Sequence, residues 1–183
     1  RYGEGLVLNH LGEVTWHLGD EAGAFDYYKQ ALNVLRPLQY EAAIGRVLRN
    51  YADLYRDQGK YTQAIENYKA AIIELDAGLV ERELSQVYNS IGELYLATST
   101  YDSAETYFNG AVQTALKIKN SRELGYSASN LAETYFRQSD YKNAVKYYRG
   151  ALKYAQRSDD KSLQLSILQR TGGVFRTLGD YNS

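Results

Sequence analysis

Residues 64–71 read Ala-Ile-Glu-Asn-Tyr-Lys-Ala-Ala, "AIENYKAA". The same frame returns as "AFDYYKQA" at 24–31, "AETYFNGA" at 104–111 and "AVKYYRGA" at 144–151. Three columns therefore stay in register at a spacing of 40 residues. They are Ala24, Ala64, Ala104 and Ala144; then Tyr28, Tyr68, Phe108 and Tyr148; then Ala31, Ala71, Ala111 and Ala151. A fourth column lies upstream at Gly12, Ala52, Gly92, Ala132 and Gly172, followed in the first four units by an acid: Glu13, Asp53, Glu93 and Glu133. A fixed period of this length marks stacked supersecondary units, none of which can bury its apolar face alone.

Each unit reads as two helices. In the second unit Ile44, Val47, Leu48, Tyr51, Ala52 and Tyr55 recur at spacings of three and four, an apolar helical stripe. "DQGK" at 57–60 interrupts it, and Tyr61, Ala64, Ile65, Tyr68, Ala71, Ile72 and Leu75 form a second stripe. Gly19, Gly59 and Gly179 suit the left-handed residue that ends a helix. Asp20, Thr100, Asp140 and Asp180 suit the N-cap of the helix that follows, and Asn120 with Glu123 resembles a capping box. Pro37 falls just past a helix, where it breaks no helical hydrogen bond. The small column at 12, 52, 92 and 132 is expected to face the alanines at 24, 64, 104 and 144, with large rings beside them, because helices approach closely only where one side is small.

Bulk properties exclude several classes. The 183 residues carry 21 basic and 22 acidic side chains, no Cys, one Pro and 19 Tyr. Near-neutral charge argues against a protein that coats nucleic acid or a polybasic membrane binder. Without cysteine there is no disulfide scaffold and no thiolate zinc site. No apolar run is long enough to span a bilayer, and no signal peptide opens the chain. The expected setting is cytoplasmic. No cofactor is implied. His10 and His17 are seven apart, which is not the close spacing of a helical metal-binding pair, and Gly172-Gly173 lies in a helical stripe and not after a strand. No catalytic or metal-binding residue is assigned, and the chain is read as non-enzymatic.

The alanine and aromatic columns, together with "YNSIGELY" at 88–95, resemble the tetratricopeptide repeat, whose signature is Trp-x2-Leu-Gly-x2-Tyr followed by Ala-x3-Phe. Tyr55 and Tyr135 hold the last aromatic of that motif; Thr15, Ala128 and Thr171 depart from it. The 40-residue period resembles the long-helix subtype found in LGN/Pins-type scaffolds, Rap- and PlcR-type regulators and the repeat arms of multidomain signalling proteins. The resemblance implies an all-α, right-handed superhelical solenoid of four hairpins plus one extra capping helix. Repeats are expected at about residues 5–40, 41–80, 81–120 and 121–160, with a partial one at 161–183. It also implies that the first helix of each pair lines a concave groove.

Carried onto this chain, the groove positions are Asn9, His10, Glu13, Arg49, Asn50, Asp53, Arg56, Asn89, Glu93, Tyr126, Asn130, Glu133, Phe136 and Arg137. The recurring asparagines can both donate to and accept from an extended backbone. The alternative is that they bond within their own helix or meet water. The acid column suits cationic partner side chains, except where Arg49, Arg56 and Arg137, three or four residues from Asp53 and Glu133, neutralise it. Glu13 and Glu93 have no such neighbour and are the better candidates for a partner. Leu96, Tyr126 and Phe136 are expected as apolar anchors; Trp16 is the fourth candidate, but filling the gap left by Thr15 is its favoured role.

Three functions stay open. The first is a scaffold whose groove holds a segment of a partner protein or peptide, with no direct nucleic-acid or membrane role. The second is a sensory or regulatory arm that controls an effector domain elsewhere in the same chain. The third is self-assembly through an uncapped solenoid end. Arg1 and the absence of Met suggest a piece of a longer chain. "LGDYNS" at 178–183 aligns with the turn "LGDEAG" at 18–23. A lone first helix at about 160–178 is then expected, with Leu163, Ile167, Val174 or Leu178 on its outer side.

Overall fold

The computed structural model describes residues 1–181. Among them it contains nine α-helices and no strand: α1 (Tyr2–His17), α2 (Glu21–Leu35), α3 (Glu41–Asp57), α4 (Tyr61–Ala77), α5 (Glu81–Ala97), α6 (Tyr101–Lys117), α7 (Ser121–Arg137), α8 (Tyr141–Arg157) and α9 (Lys161–Tyr181). A 3-10 turn, Arg36–Leu38, follows α2 and places Pro37 at its start, where the missing N–H costs nothing. The fold is an all-α helical repeat. The chain forms two compact units, Arg1–Val87 and Tyr88–Ser183, and α5 contributes residues to each.

One turn design recurs through the chain. Gly19, Gln39, Gly59, Leu79, Ser99, Lys119, Ser139 and Asp159 all have positive φ, one residue in every twenty. Around seven of them the same pair of bonds closes the helix end. Gly19 N–H donates to Trp16 O at 2.9 Å and Asp20 N–H reaches back to Thr15 O at 3.1 Å; Leu79 to Asp76 and Val80 to Leu75 repeat this at 3.1 and 3.0 Å. This is the Schellman pattern. Only two of the eight left-handed residues are glycine. The other six carry a strain of roughly 1–2 kcal/mol each, which the two closing bonds offset at all of them but Gln39.

Caps follow where the side chain permits. The Asp20 carboxylate accepts from Gly23 N–H, Asp140 from Asn143 N–H, and the Asn120 side chain from Arg122 and Glu123 N–H. Thr100, expected as a cap, makes no side-chain cap bond; its hydroxyl pairs with Thr98 Oγ1 at 3.4 Å. The expected turn at Gly179 is absent. α9 continues through it to Tyr181. The side chain of Asp180, the fourth expected cap, lies outside the described residues.

In the first unit Ala24, Tyr28, Ala31, Leu35, Ala52, Leu54, Ala64, Tyr68, Ala71 and Leu75 are all fully buried. Phe25 of α2 meets α3 edge-on through Tyr51, 5.0 Å between ring centroids, and lies 4.9 Å from Tyr55. In the second unit Phe108 and Leu131 share one cluster, and Tyr148, Ile167 and Val174 another. Tyr95 stacks on Tyr107 at 5.5 Å and Tyr135 on Tyr147 at 5.2 Å.

Two glycines of the small column lie under aromatic rings. A Cβ on Gly12 would lie 2.4 Å from Tyr28 Cε1, and one on Gly92 2.6 Å from Phe108 Cε1. The atoms nearest these two glycines belong to the aromatic ring, which uses the depth a missing Cβ leaves. A second small column recurs at the same period: Gly5, Gly45, Ser85 and Gly125. Leu35 lies on Gly5 and Leu75 on Gly45 with the same closeness; a methyl group on either glycine would come within 2.6 and 2.7 Å of its leucine.

Candidate partner-binding surface

The face carried by the first helix of each hairpin holds a polar ladder. In the first unit, buried Asn50 on α3 donates to Asn9 Oδ1 at 3.0 Å and to Glu13 Oε1 at 2.5 Å, both on α1. Asn9, also buried, donates to the same carboxylate at 3.4 Å, and His10 Nδ1 lies 3.1 Å from its other oxygen. Further along, Arg46 grips Glu83 at 3.0 Å, and Arg49 donates to Gln86 Oε1 and to Asn50 Oδ1. Arg49 thus makes its hydrogen bonds to Gln86 and Asn50 and acts on Asp53 as a nearby charge. Asp53 accepts from Tyr68 Oη at 2.5 Å and from Arg56 at 2.9 Å.

The second unit repeats the ladder with other partners. Buried Asn89 donates to Ser127 Oγ at 2.9 Å. Glu93 receives Tyr126 Oη at 2.6 Å and Asn130 Nδ2 at 3.1 Å; Asn130 Oδ1 faces Arg170 of α9 at 3.4 Å. Glu133 takes Tyr148 Oη at 2.7 Å and Arg137 at 2.8 Å. Burial and the Glu93 charge push the Tyr126 hydroxyl up to about 12, so it stays a donor at neutral pH. Burial and Glu133 likewise raise Tyr148. Asp53 is raised by burial, against the pull of Tyr68 and Arg56.

Glu13 and Glu93, expected to wait for a partner, are therefore already engaged by asparagines of the following first helix. The four asparagines are buried and tie helix to helix. Phe136 is half-buried and packs on Tyr141, 6.0 Å between centroids, so little of its ring is offered outward. Trp16 is half-buried and parallel to the His17 imidazole at 5.6 Å. His10, Tyr126 and Arg137 remain exposed. What the sequence signal did not show is the pairing across repeats, since residues 37 apart read as unrelated until the helices are stacked.

An open cleft of about 480 Å³ forms on this face of the second unit. Glu93, Leu96 and Ala97 of α5, Asn130, Glu133 and Arg137 of α7 and Arg170 of α9 line it. Leu96 and Ala97 supply an apolar wall; exposed Arg137 and Arg170 supply cations; Glu93 and Glu133 supply carboxylates whose bonds inside the fold fix their positions. Among the described residues no group of three or more His, Asp or Glu is placed to hold a metal ion, and no helix is long and apolar enough to cross a membrane.

On the outer face of α9 the expected residues are not the exposed ones. Ile167 and Val174 are fully buried against α7 and α8, and Leu163 and Leu178 are half-buried. Leu165, Leu168 and Phe175 face solvent instead, 58%, 53% and 51% exposed. The seven-residue step from Ile167 to Val174 sets which stripe packs; the second apolar stripe then has to point away.

Helical hairpins repeating every 40 residues, with small residues under aromatic rings and a polar ladder on one face, define a helical repeat protein. The family model of the tetratricopeptide repeat matches residues 4–72 and 123–183, and a second tetratricopeptide model matches 49–117; the chain belongs to this family. Among solved structures it is similar to BtubC (BKLC) from P. vanneervenii, with TM-score 0.83 and 19% identity over 96% of this chain and 73% of that one. It is also similar to the apo form of RapI, TM-score 0.86 and 20% identity, covering 95% of this chain and 48% of RapI. Aspartyl phosphate phosphatase F from Bacillus subtilis gives TM-score 0.85 and 16% identity, covering 99% of this chain and 51% of that one. The chain thus spans about half the length of the last two. No curated protein matches it by sequence.

Proposed function

We propose that this chain is a non-catalytic binding module whose first-helix face holds a segment of a partner protein. The observation that carries this reading is the cleft of the second unit, where three successive first helices combine an apolar wall with exposed Arg137 and Arg170. The two cations suit carboxylates or backbone carbonyls on the ligand, and Leu96 suits an apolar anchor. The ladder beneath supports the reading in a second way. It fixes the wall of the cleft before any ligand arrives, which lowers the ordering cost of binding.

The test is selection of peptides from a displayed random library on the wild-type protein, followed by anisotropy titration. Leu96→Glu and Arg137→Glu/Arg170→Glu are expected to weaken selected peptides by about tenfold or more, while Lys29→Glu on α2 leaves them unchanged. Peptides that keep their affinity for both cleft variants would overturn the assignment.

A regulatory reading of the same site rests on the family and on the share of its neighbours that the chain spans. RapI and aspartyl phosphate phosphatase F each extend well past the matched region. In that reading, occupancy of the cleft changes the activity of a neighbouring domain. It predicts that a selected peptide alters the activity of the parent protein, and that Leu96→Glu abolishes the response.

A further inference from the structure

Helix α8 carries five basic residues and no acid: Lys142, Lys146, Arg149, Lys153 and Arg157. Steps of four, three, four and four keep all five on one narrow face, a row about 22 Å long at 1.5 Å per residue. All five are exposed, and none forms a salt bridge among the described residues. Lys146 lies over the Tyr147 ring and Arg157 over that of Tyr154, each 5.6 Å from the centroid. The acid that Lys142 influences, Asp140, is committed to capping α8 through Asn143.

Folding does not explain Lys142, Lys146 and Lys153. The repeat supplies its own control, because each position has a cognate 40, 80 and 120 residues earlier. Lys142 corresponds to Asp102, Thr62 and Ala22; Lys146 to Thr106, Glu66 and Asp26; Lys153 to Gln113, Ile73 and Asn33. These three places accept neutral or acidic residues in the same fold, whereas Arg149 corresponds to Asn109, Lys69 and Lys29, and Arg157 to Lys117, Ala77 and Pro37. Like charges three and four apart also oppose one another, and Lys142 stands in the first turn, where the helix dipole disfavours a cation. Only Arg157, in the last turn, gains from that dipole.

An apolar floor adjoins the row. Tyr141 and Val145 of α8 and Leu178 of α9 line an open cleft of about 560 Å³, and Lys142, Lys146 and Arg149 rim it. We infer that this face of α8 docks an acidic amphipathic helix of a partner protein. Carboxylates three and four residues apart on such a helix rise by about 4.5–6 Å per step, as the row does. Its apolar stripe would cover Tyr141, Val145 and Leu178, the helix-in-groove arrangement. A nucleic-acid strand or an anionic bilayer would meet the cations and leave that floor unused. The site is separate from the first-helix cleft, so the two readings fail independently.

The test uses the whole chain and a dye-labelled synthetic helix with one leucine row flanked by glutamates, titrated by anisotropy at low and physiological salt. Lys142→Glu/Lys146→Glu/Arg149→Glu is expected to weaken binding by about tenfold or more, and Val145→Asp to weaken it as well. Lys29→Glu/Lys69→Glu, at cognate exposed positions of α2 and α4, is expected to stay within about twofold. Neutral Gln replacements at 142, 146 and 149 repeat the test without reversed charge, and circular dichroism confirms that each variant folds. Absence of binding, equal losses in the α8 and the α2/α4 variants, or tighter binding of oligothymidylate or phosphatidylserine vesicles through the same lysines would each overturn the inference.

Discussion

Tyr148 donates its hydroxyl to Glu133 at 2.7 Å, joining the aromatic column of one helix to the acid column of its hairpin partner. Tyr68 and Asp53 form the same link in the second hairpin. The two other hairpins break it differently. Phe108 has no hydroxyl, and Glu93 turns to Tyr126 and Asn130. Glu13 is taken by Asn50, which leaves Tyr28 Oη buried without a hydrogen-bond partner. Two substitutions of one kind should therefore differ in sign. Tyr148→Phe is expected to cost on the order of 1–2 kcal/mol, since Arg137 still covers part of Glu133. Tyr28→Phe is expected to be neutral or stabilising by up to about 1 kcal/mol, because it removes an unsatisfied buried hydroxyl. Urea denaturation of the two variants beside wild type measures both, and a larger loss for Tyr28→Phe would refute the pairing scheme.

Glycines divide in the same way between packed and open sites. A methyl group at Gly12 would drive into the Tyr28 ring at 2.4 Å, whereas one at Gly172 meets nothing within 4 Å. Gly12→Ala is expected to destabilise by about 1–3 kcal/mol through overpacking. Gly172→Ala, inside α9, is expected to stabilise by about 0.5–1 kcal/mol through helix propensity. Thermal melts of the two variants in parallel provide the measurement; matching shifts would show that the ring is not seated on Gly12.

Acid sensitivity has an assignable part. The Asn143 backbone N–H holds the Asp140 carboxyl below the ordinary range, with the Asn143 side chain adding to it; the Leu163 N–H does so first for Asp160, with Arg122 second. A depressed folded value means that the ionised caps contribute stability above the unfolded value near 3.9, and that this contribution disappears as pH falls through the lower folded value. Asp53 runs the other way. Burial raises it, so its ionised form costs stability above its folded value and protonation relieves that cost. Asp140→Asn/Asp160→Asn should therefore flatten the loss of stability below about pH 4, because asparagine still caps a helix but does not titrate. Chemical denaturation across that range tests this; an unchanged slope would remove the caps as its cause.

Four in-register columns were enough to read the helices and their pairing, because alanine and aromatic spacing reports directly on close approach. The turns were less legible. Gly19 and Gly59 announce a left-handed residue, but Gln39, Leu79, Ser99, Lys119, Ser139 and Asp159 adopt the same conformation without a side chain that signals it. Local helix-closing backbone bonds such as Val80 N–H to Leu75 O hold all of these but Gln39 there. The site was legible as positions and not as bonds. Asn50 and Glu13 were both marked in the sequence, yet which of them meets solvent depends on a neighbour 37 residues away. Gly179 shows the same limit: the tripeptide Leu-Gly-Asp turns at 18–20 and stays helical at 178–180.

The outer stripe of α9 leads to the last prediction. Leu165, Leu168 and Phe175 lie on one side of a helix whose other side is sealed by Ile167 and Val174. Exposed Gly172 stands between Leu168 and Phe175 on this outer side and lets an opposing helix approach closely. Apolar side chains in such a row are worth about 25 cal/mol for each Å² removed from water, so a surface of this kind favours pairing once concentration covers the loss of free motion. Sedimentation velocity is expected to show this chain associating reversibly as concentration rises. Leu168→Lys/Phe175→Lys should hold it monomeric without loss of helicity, because neither side chain supports the buried cluster. Association that persists in that variant would move the contact elsewhere, to the first-helix cleft or to α8. The variants of those two sites would then identify it.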